Sequence, residues 1–377
     1  MSDGVHSMLA ELYRSGAPLT AVYADASEDT NDPHRTRELR RRALREELAA
    51  AGAPDSDLDV VDEILSRPSH VGGPVSHFLV IRDGEVLVQE LLPGQSRAER
   101  AVSYGLVPGL LPLVAHRPRD LSYVVVEANR EGGVVKLFRL GGSAPESEQE
   151  IEGETEQIRK VQLGGWSHRR FQQHAEETWK RNEAQIAESI DELVRTEKVE
   201  LVLISGDVRA QQLLRDQLGS AAQKVAVLVA GNTRAEGSSD EPLEHEIETR
   251  VAELLALEER AALDRLAQET ASTGGLGETG LGAVVHALQQ SQVDTLLVSQ
   301  RLLADRTLLA LATEPWVATA PEETLGATVV GHVPAADALV RAAVLTDAKV
   351  LALGDQELPQ GVAALLRWPT GPAARND

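Results

Sequence analysis

The chain reads as an α/β protein of three domains, and three observations predict this. Its 377 residues exceed what one hydrophobic core usually holds. Two β-hairpins, Phe78–Gln89 and Tyr123–Arg139, are separated by a Pro-punctuated stretch, Leu106–Arg119, which marks a boundary. Leu201–Gly206, a helix through Leu213 and Leu214, and Val225–Val229 then alternate strand, helix and strand, the pattern of a parallel sheet covered by helices. The expected domains are 1–120, 121–262 and 263–377.

Each element has a local reason. Leu19–Ala24 is a short apolar run that ends in the polar loop DASEDTNDPH, so it predicts a strand. Charged helices follow at Arg35–Ala50 and Ser56–Leu65. In the first hairpin, Asp83-Gly84 supplies the positive φ angles of a two-residue type I′ turn. The second hairpin turns around Arg130–Gly133. From Ser167 to Val194, the residues Phe171, Ala175, Thr178, Asn182, Ile186, Ile190 and Leu193 recur at helical spacing and predict one long helix with a charged outer face. A helix over Pro242–Thr270 leads into the last domain. There Leu281–Gln290 and Ala335–Leu345 are helical, and Val293–Ser299, Lys349–Leu353 and Val362–Leu366 are strands.

Composition narrows the function. Apolar residues make up 42% and aromatics 3%, so the cores rest on Leu, Val and Ala. There is no cysteine, which excludes disulfides, thiolate metal sites and cysteine nucleophiles and fits a reducing cytoplasm. The N-terminus has no basic, apolar signal pattern, and no stretch approaches 18 apolar residues, so neither secretion nor a membrane partner is expected. The net charge of −22 sets a condition on any nucleic-acid contact: it must use local basic patches.

The densest such patch is Arg35, Arg37, Arg40, Arg41, Arg42 and Arg45, interleaved with Glu38, Glu46 and Glu47. Its plain reading is a solvated helix face; its functional reading is a surface for RNA phosphates. The second is Gly164-Gly165-Trp166-Ser167-His168-Arg169-Arg170. Paired glycines allow backbone conformations closed to other residues, Ser167 can cap the helix that follows, and the basic residues favour an anion at its N-terminus. Just before it, Glu146, Glu148, Glu150, Glu152, Glu154 and Glu156 alternate strictly, which in an extended strand sets them all on one face as an acidic ribbon.

Enzyme templates find no anchor. Gly275, Gly277 and Gly280 form a G-x-G-x-x-G, yet a polar helix precedes it where a dinucleotide site needs a strand. His245-Glu246 does not continue to a second histidine. Asp25, Asp29 and Asp32 read as solvated turn residues. No metal and no cofactor are expected.

From Leu121 onward the chain resembles the archaeal and eukaryotic class-one release factors and their Pelota relatives. Two regions carry the resemblance. One is Gly164-Gly165-Trp166-Ser167-His168-Arg169-Arg170-Phe171 with a hairpin before and a long helix after. The other is Gly280–Leu288, Val293–Ser299 and Gly361–Trp368, similar to the helix, strand and closing strand of the family's ribosomal-protein-like third domain. Residues 1–120 look like the divergent first domain of the family's bacterial branch, and the chain as a whole is most similar to actinobacterial ribosome hibernation factors of the Balon type. The resemblance implies a release-factor-like middle domain with an exposed Gly-Gly loop. It also implies a place in the ribosomal A site against ribosomal RNA, elongation factor EF-Tu as a companion, and a role in stress. Those factors carry Gly-Gly-Gln where this chain has Gly164-Gly165-Trp166. The expectation is therefore a cytoplasmic factor that binds ribosomes without catalysis; the alternative is a rescue hydrolase acting on peptidyl-tRNA or the tRNA end.

Overall fold

The computed structural model describes residues 3–28, 32–69, 74–93, 101–116, 121–129, 132–140, 145–152, 167–229, 241–272, 274–299, 301–353 and 358–369. These residues form two compact units: 121–256 is one, and 1–120 together with 257–377 is the other. The architecture is mixed α/β with four sheets.

The chain opens with α1 (Asp3–Arg14), an amphipathic helix that sequence reading left unassigned, then β1 (Leu19–Asp25), α2 (Pro33–Ala50) and α3 (Asp55–Ser66). Asp32 caps α2 by accepting the Arg35 N–H, and Pro33 occupies the first turn, where a missing N–H is harmless. The hairpin β2 (Val75–Arg82) and β3 (Glu85–Pro93) turns at Asp83 and Gly84, with φ of 51° and 82° as the type I′ turn requires. After β4 (Val102–Gly105) comes α4 (Leu111–His116), whose Leu111, Leu113 and Val114 are fully buried. The Pro-punctuated stretch ends at the division between the units, at 120/121, and its Leu110, Leu111, Leu113 and Val114 also join the core. The four strands order as β3-β2-β1-β4, all antiparallel.

Both faces of this sheet are covered, which explains why β1 reads as an unbroken apolar run. Val22, Ala24, Leu79 and Ile81 face α2 and α3. Leu19, Ala21, Tyr23, Phe78 and Val80 face the other way, into a core shared with α1, α4 and the C-terminal part of the same unit. Buried Asp57 of α3 ties the layers: it accepts from the Thr20 hydroxyl at 2.6 Å and from the Gly84 N–H at 2.7 Å.

The second unit holds β5 (Ser122–Asn129), β6 (Gly132–Arg139), β7 (Ser147–Glu152), α5 (Ser167–Thr196), β8 (Leu201–Gly206), α6 (Val208–Gln217), α7 (Ser220–Val225) and β9 (Ala226–Leu228). Its sheet runs β7-β6-β5-β8-β9, with β5, β8 and β9 parallel as expected. Val124, Val126, Val202 and Ile204 meet α5, α6 and α7; Val125, Leu201 and Leu203 meet the first half of α8 (Glu241–Ala271) through Leu243 and Val251.

The second half of α8 belongs to the first unit, where Leu266 packs on β11 (Val293–Val298) and β16 (Val362–Leu366). Between α8 and β11 lie β10 (Gly277–Thr279) and α9 (Leu281–Gln289). After β11 come β12 (Thr307–Leu311), β13 (Val317–Ala318), β14 (Val329–Pro334), α10 (Ala335–Leu345) and β15 (Lys349–Ala352). The sheets order as β10-β16-β11-β15 and β13-β12-β14; the second of these had no counterpart in the sequence reading.

One buried place in this unit is only partly satisfied. The Arg341 guanidinium of α10 lies 5.4 Å from the Trp316 ring centre and donates to the Leu311 carbonyl at 2.9 Å. Its Nε, the Trp316 indole N–H and the Tyr13 hydroxyl of α1 are all buried without partners among the described residues. Burial, and then the Asp337 carboxylate, hold the Tyr13 phenol well above its usual pKa. Tyr13→Phe removes an unpaired hydroxyl and leaves the ring in place. It is expected to stabilise the unit by about 1 kcal/mol, seen as a higher urea midpoint; an equal loss would mean that the hydroxyl is bonded.

Candidate functional site

The long helix predicted from Ser167 is present as α5, 30 residues long and therefore about 45 Å from end to end. Gly164, Gly165 and Trp166 lie outside the described residues. Ser167, His168, Arg169 and Arg170 form the first turn of α5, with their side chains outside the described set. The helix is fastened by Asn182, Ile186, Ala187 and Ile190, all buried. Asn182, Ile186 and Ile190 belong to the expected stripe, and Leu193 packs against the same core.

Glu183 lies outside the expected apolar stripe, yet it is 1% exposed and its Oε2 has no partner among the described residues. Burial, and then the nearby Asp207 carboxylate, raise its pKa to about 8, so it is protonated at neutral pH. Asp207 itself caps α6, accepting from the N–H groups of Arg209 and Ala210.

The arginine cluster on α2 has a definite geometry. Arg37 pairs with Glu28 at 2.9 Å and donates to the Ser66 carbonyl at 3.2 Å. Arg40 pairs with Asp25 at 2.5 Å and donates to the Ser27 carbonyl at 3.0 Å. Arg41 bridges Glu38 and Asp62, each at 2.7 Å, and Arg45 bridges Asp62 and Asp59. Arg42 reaches Glu46 at 3.2 Å, with both side chains more than two-thirds exposed. Arg35 is exposed. The sequence spacing wraps the six around more than one face of the helix, and the fold gives those faces different surroundings. Arg35 and Arg42 face solvent, and Arg37, Arg40 and Arg41 turn inward and line a cleft beside the end of β1, with Arg67 and His77.

His77 was not singled out from the sequence. It begins the apolar run of β2 and looks like an ordinary strand residue, and its cleft neighbours are distant in the chain. It is 6% exposed, its Nε2 has no partner among the described residues, and burial lowers its pKa, which favours the neutral ring at pH 7.

The acidic ribbon is in part a strand. β7 pairs with β6 at the edge of its sheet, with Glu148 and Glu150 exposed. Glu148 stands opposite Lys136, and Arg139 binds Glu146 at 2.7 Å. The other face is not wholly polar: Ile151 joins the core and Gln149 accepts from Ser189 of α5 at 2.7 Å. Glu154 and Glu156 lie outside the described residues.

The glycine-rich run has structural work. A Cβ on Gly275 would lie 1.8 Å from the Glu269 carbonyl oxygen, and one on Gly277 would lie 2.9 Å from the Thr270 nitrogen, so the run folds tightly against the end of α8. Of the three loop aspartates, Asp25 pairs with Arg40, Asp32 caps α2, and Asp29 lies outside the described residues.

Residues 122–272 match the model of the bacterial archaeo-eukaryotic release factor family 2. This part of the chain is therefore similar to the bacterial branch of the archaeal and eukaryotic release factors, the family that its sequence resembles. Two uncharacterized proteins of Mycobacterium tuberculosis, one from each of two strains, are 29% identical over 365 residues, covering 95% of this chain and 95% of theirs. Among solved structures, Pelota of Archaeoglobus fulgidus matches 96% of this chain and 92% of its own at 14% identity, with a TM-score of 0.35. An archaeal translation termination factor matches 98% and 99% at 15% identity, with a TM-score of 0.24. No helix among the described residues is long and apolar enough to cross a membrane.

Proposed function

We propose that this protein is a ribosome-binding factor of the hibernation type. It enters the A site of idle or stalled ribosomes, with EF-Tu as a companion, and protects them without releasing peptide. One feature supports the reading: a segment similar to the release factors has Gly164-Gly165-Trp166 where the resemblance expects Gly-Gly-Gln. The indole of tryptophan has one N–H donor and no acceptor, so it cannot hold a water for attack as a carboxamide can. Gly164, Gly165 and Trp166 then shape the loop tip, and His168, Arg169 and Arg170 contact ribosomal RNA. Arg35 and Arg42 give the first domain a second contact; the exposed pair between Arg42 and Glu46 is worth little and exchanges readily for a phosphate.

The test is co-sedimentation with vacant ribosomes across a salt series, with and without EF-Tu. Saturable binding is expected. Arg169→Gln with Arg170→Gln should weaken it at least tenfold and lower the steepness of its salt dependence by about two phosphate contacts. Absence of binding at any salt, or release of peptide from stalled complexes by the wild-type protein, would overturn the proposal.

A further inference from the structure

The inward half of the arginine cluster forms a site of its own. Arg37, Arg40 and Arg41 share one face of α2 and, with Arg67 at the end of α3, line a narrow cleft that is open to solvent. His77 closes it from β2. The guanidinium groups do not wave in solvent. Glu28 and Asp25 orient Arg37 and Arg40, and the carbonyls of Ser66 and Ser27 hold them from the other side. Each guanidinium carries five N–H donors in a fixed fork, so donors remain after these bonds are made. An orphaned buried imidazole nitrogen needs a partner, and His77 Nε2 has none among the described residues.

We propose that this cleft binds a phosphate group, held by Arg37, Arg40 and Arg41 with a hydrogen bond from the His77 imidazole. Pre-oriented arginines and a neutral N–H donor are what a tetrahedral oxyanion requires. The four guanidinium groups of the walls are paired with Asp25, Glu28, Glu38, Asp62 and Glu63, and these carboxylates compete with an anion and set its affinity. As the source of the phosphate, an RNA strand rests on the ribosome-binding reading above, whereas a free phosphate or monoester does not.

The experiment uses the full chain and three probes: inorganic phosphate, a short RNA bearing a 5′-phosphate, and the same RNA with a 5′-hydroxyl. Binding is read from the rise in unfolding temperature and from the His77 ring resonances, at constant ionic strength. Saturable stabilisation by phosphate with movement of the His77 signals is expected. Arg40→Gln should weaken it at least tenfold. Glu28→Gln should act in the opposite direction and tighten it severalfold, because it removes a competing carboxylate beside Arg37. Glu28→Gln also guards against a trivial loss of folding, since a damaged cleft does not gain affinity. Preference for the 5′-phosphorylated RNA assigns a terminal phosphate; equal binding of both RNAs assigns a backbone phosphate; response to inorganic phosphate alone assigns a free anion. If chloride at matched ionic strength reproduces the stabilisation, or if neither variant shifts the affinity, the site does not exist. Phosphate binding without ribosome binding leaves this site standing and removes the ribosome reading. Ribosome binding by a protein indifferent to phosphate does the reverse.

Discussion

Gly206→Ala is expected to disrupt the middle unit by at least about 3 kcal/mol, enough to remove its cooperative unfolding from a urea titration. Gly206 ends β8 at φ +115°, a conformation that side chains rarely adopt. A Cβ there would sit 1.9 Å from the Ala128 carbonyl oxygen and 2.9 Å from its carbonyl carbon. Both are backbone atoms of the neighbouring parallel strand β5, so no rotamer change relieves the clash. The strand must move, and its movement breaks the bond from the Asp207 N–H to the same carbonyl, at 3.1 Å. That displaces the residue that caps α6. The matched control is Gly282→Ala on α9, where a Cβ meets nothing within 4 Å and helix propensity favours alanine. It is expected to be neutral or slightly stabilising. A Gly206→Ala protein that unfolds at the wild-type midpoint would show that β5 and β8 tolerate separation.

Much of this fold is legible along the chain because its signals are local. Asp83-Gly84 announces a turn, the spacing of Ile186 and Ile190 announces a helix face, and apolar runs bounded by polar residues announce β1, β8 and β11. The frame around Gly164 likewise carries the resemblance to the release factors in residues adjacent in sequence. What was missed depends on partners far apart in sequence. The apolar faces of α1 and α4 acquire meaning only when the first domain and the C-terminal strands share one core, and nothing local in residues 1–120 encodes that sharing. β12, β13 and β14 are short and broken by Pro315 and Gly326, so their periodicity is too brief to read.

The candidate site divides on the same physical line. A helix with six arginines is visible in the sequence, but which of them turn inward is decided by Asp25, Glu28 and Asp62, carried on β1, the loop after it and α3. His77 becomes interesting only through what it fails to meet. Glu183 is the clearest case, since a glutamate within the run NEAQIAESIDEL looks like a solvated charge. It lies three and four residues before Ile186 and Ala187, close enough to the apolar stripe to be drawn under it.

That burial gives the second large effect. In the unfolded chain Glu183 loses its proton near pH 4.5, whereas in the fold it keeps the proton to about 8. Between these values the folded state binds more protons than the unfolded state, so the free energy of unfolding falls as pH rises. The stability is fully present below the lower value and is lost through the window, by a total on the order of 4 kcal/mol. Glu183→Gln keeps the shape and cannot ionise. Urea unfolding of both proteins at pH 5 and pH 8.5 should therefore give similar stabilities at the lower pH. At the higher pH the variant should be more stable by several kcal/mol, with every other titrating group cancelling in the difference. Parallel losses in the two proteins would mean that Glu183 is ionised throughout and that Asp207 is not its neighbour in an electrostatic sense. The consequence reaches beyond stability. Glu183 holds the helix that runs on from Gly164, Gly165 and Trp166 in the sequence, so under the proposed function ribosome binding should weaken above pH 8, and Glu183→Gln should retain it.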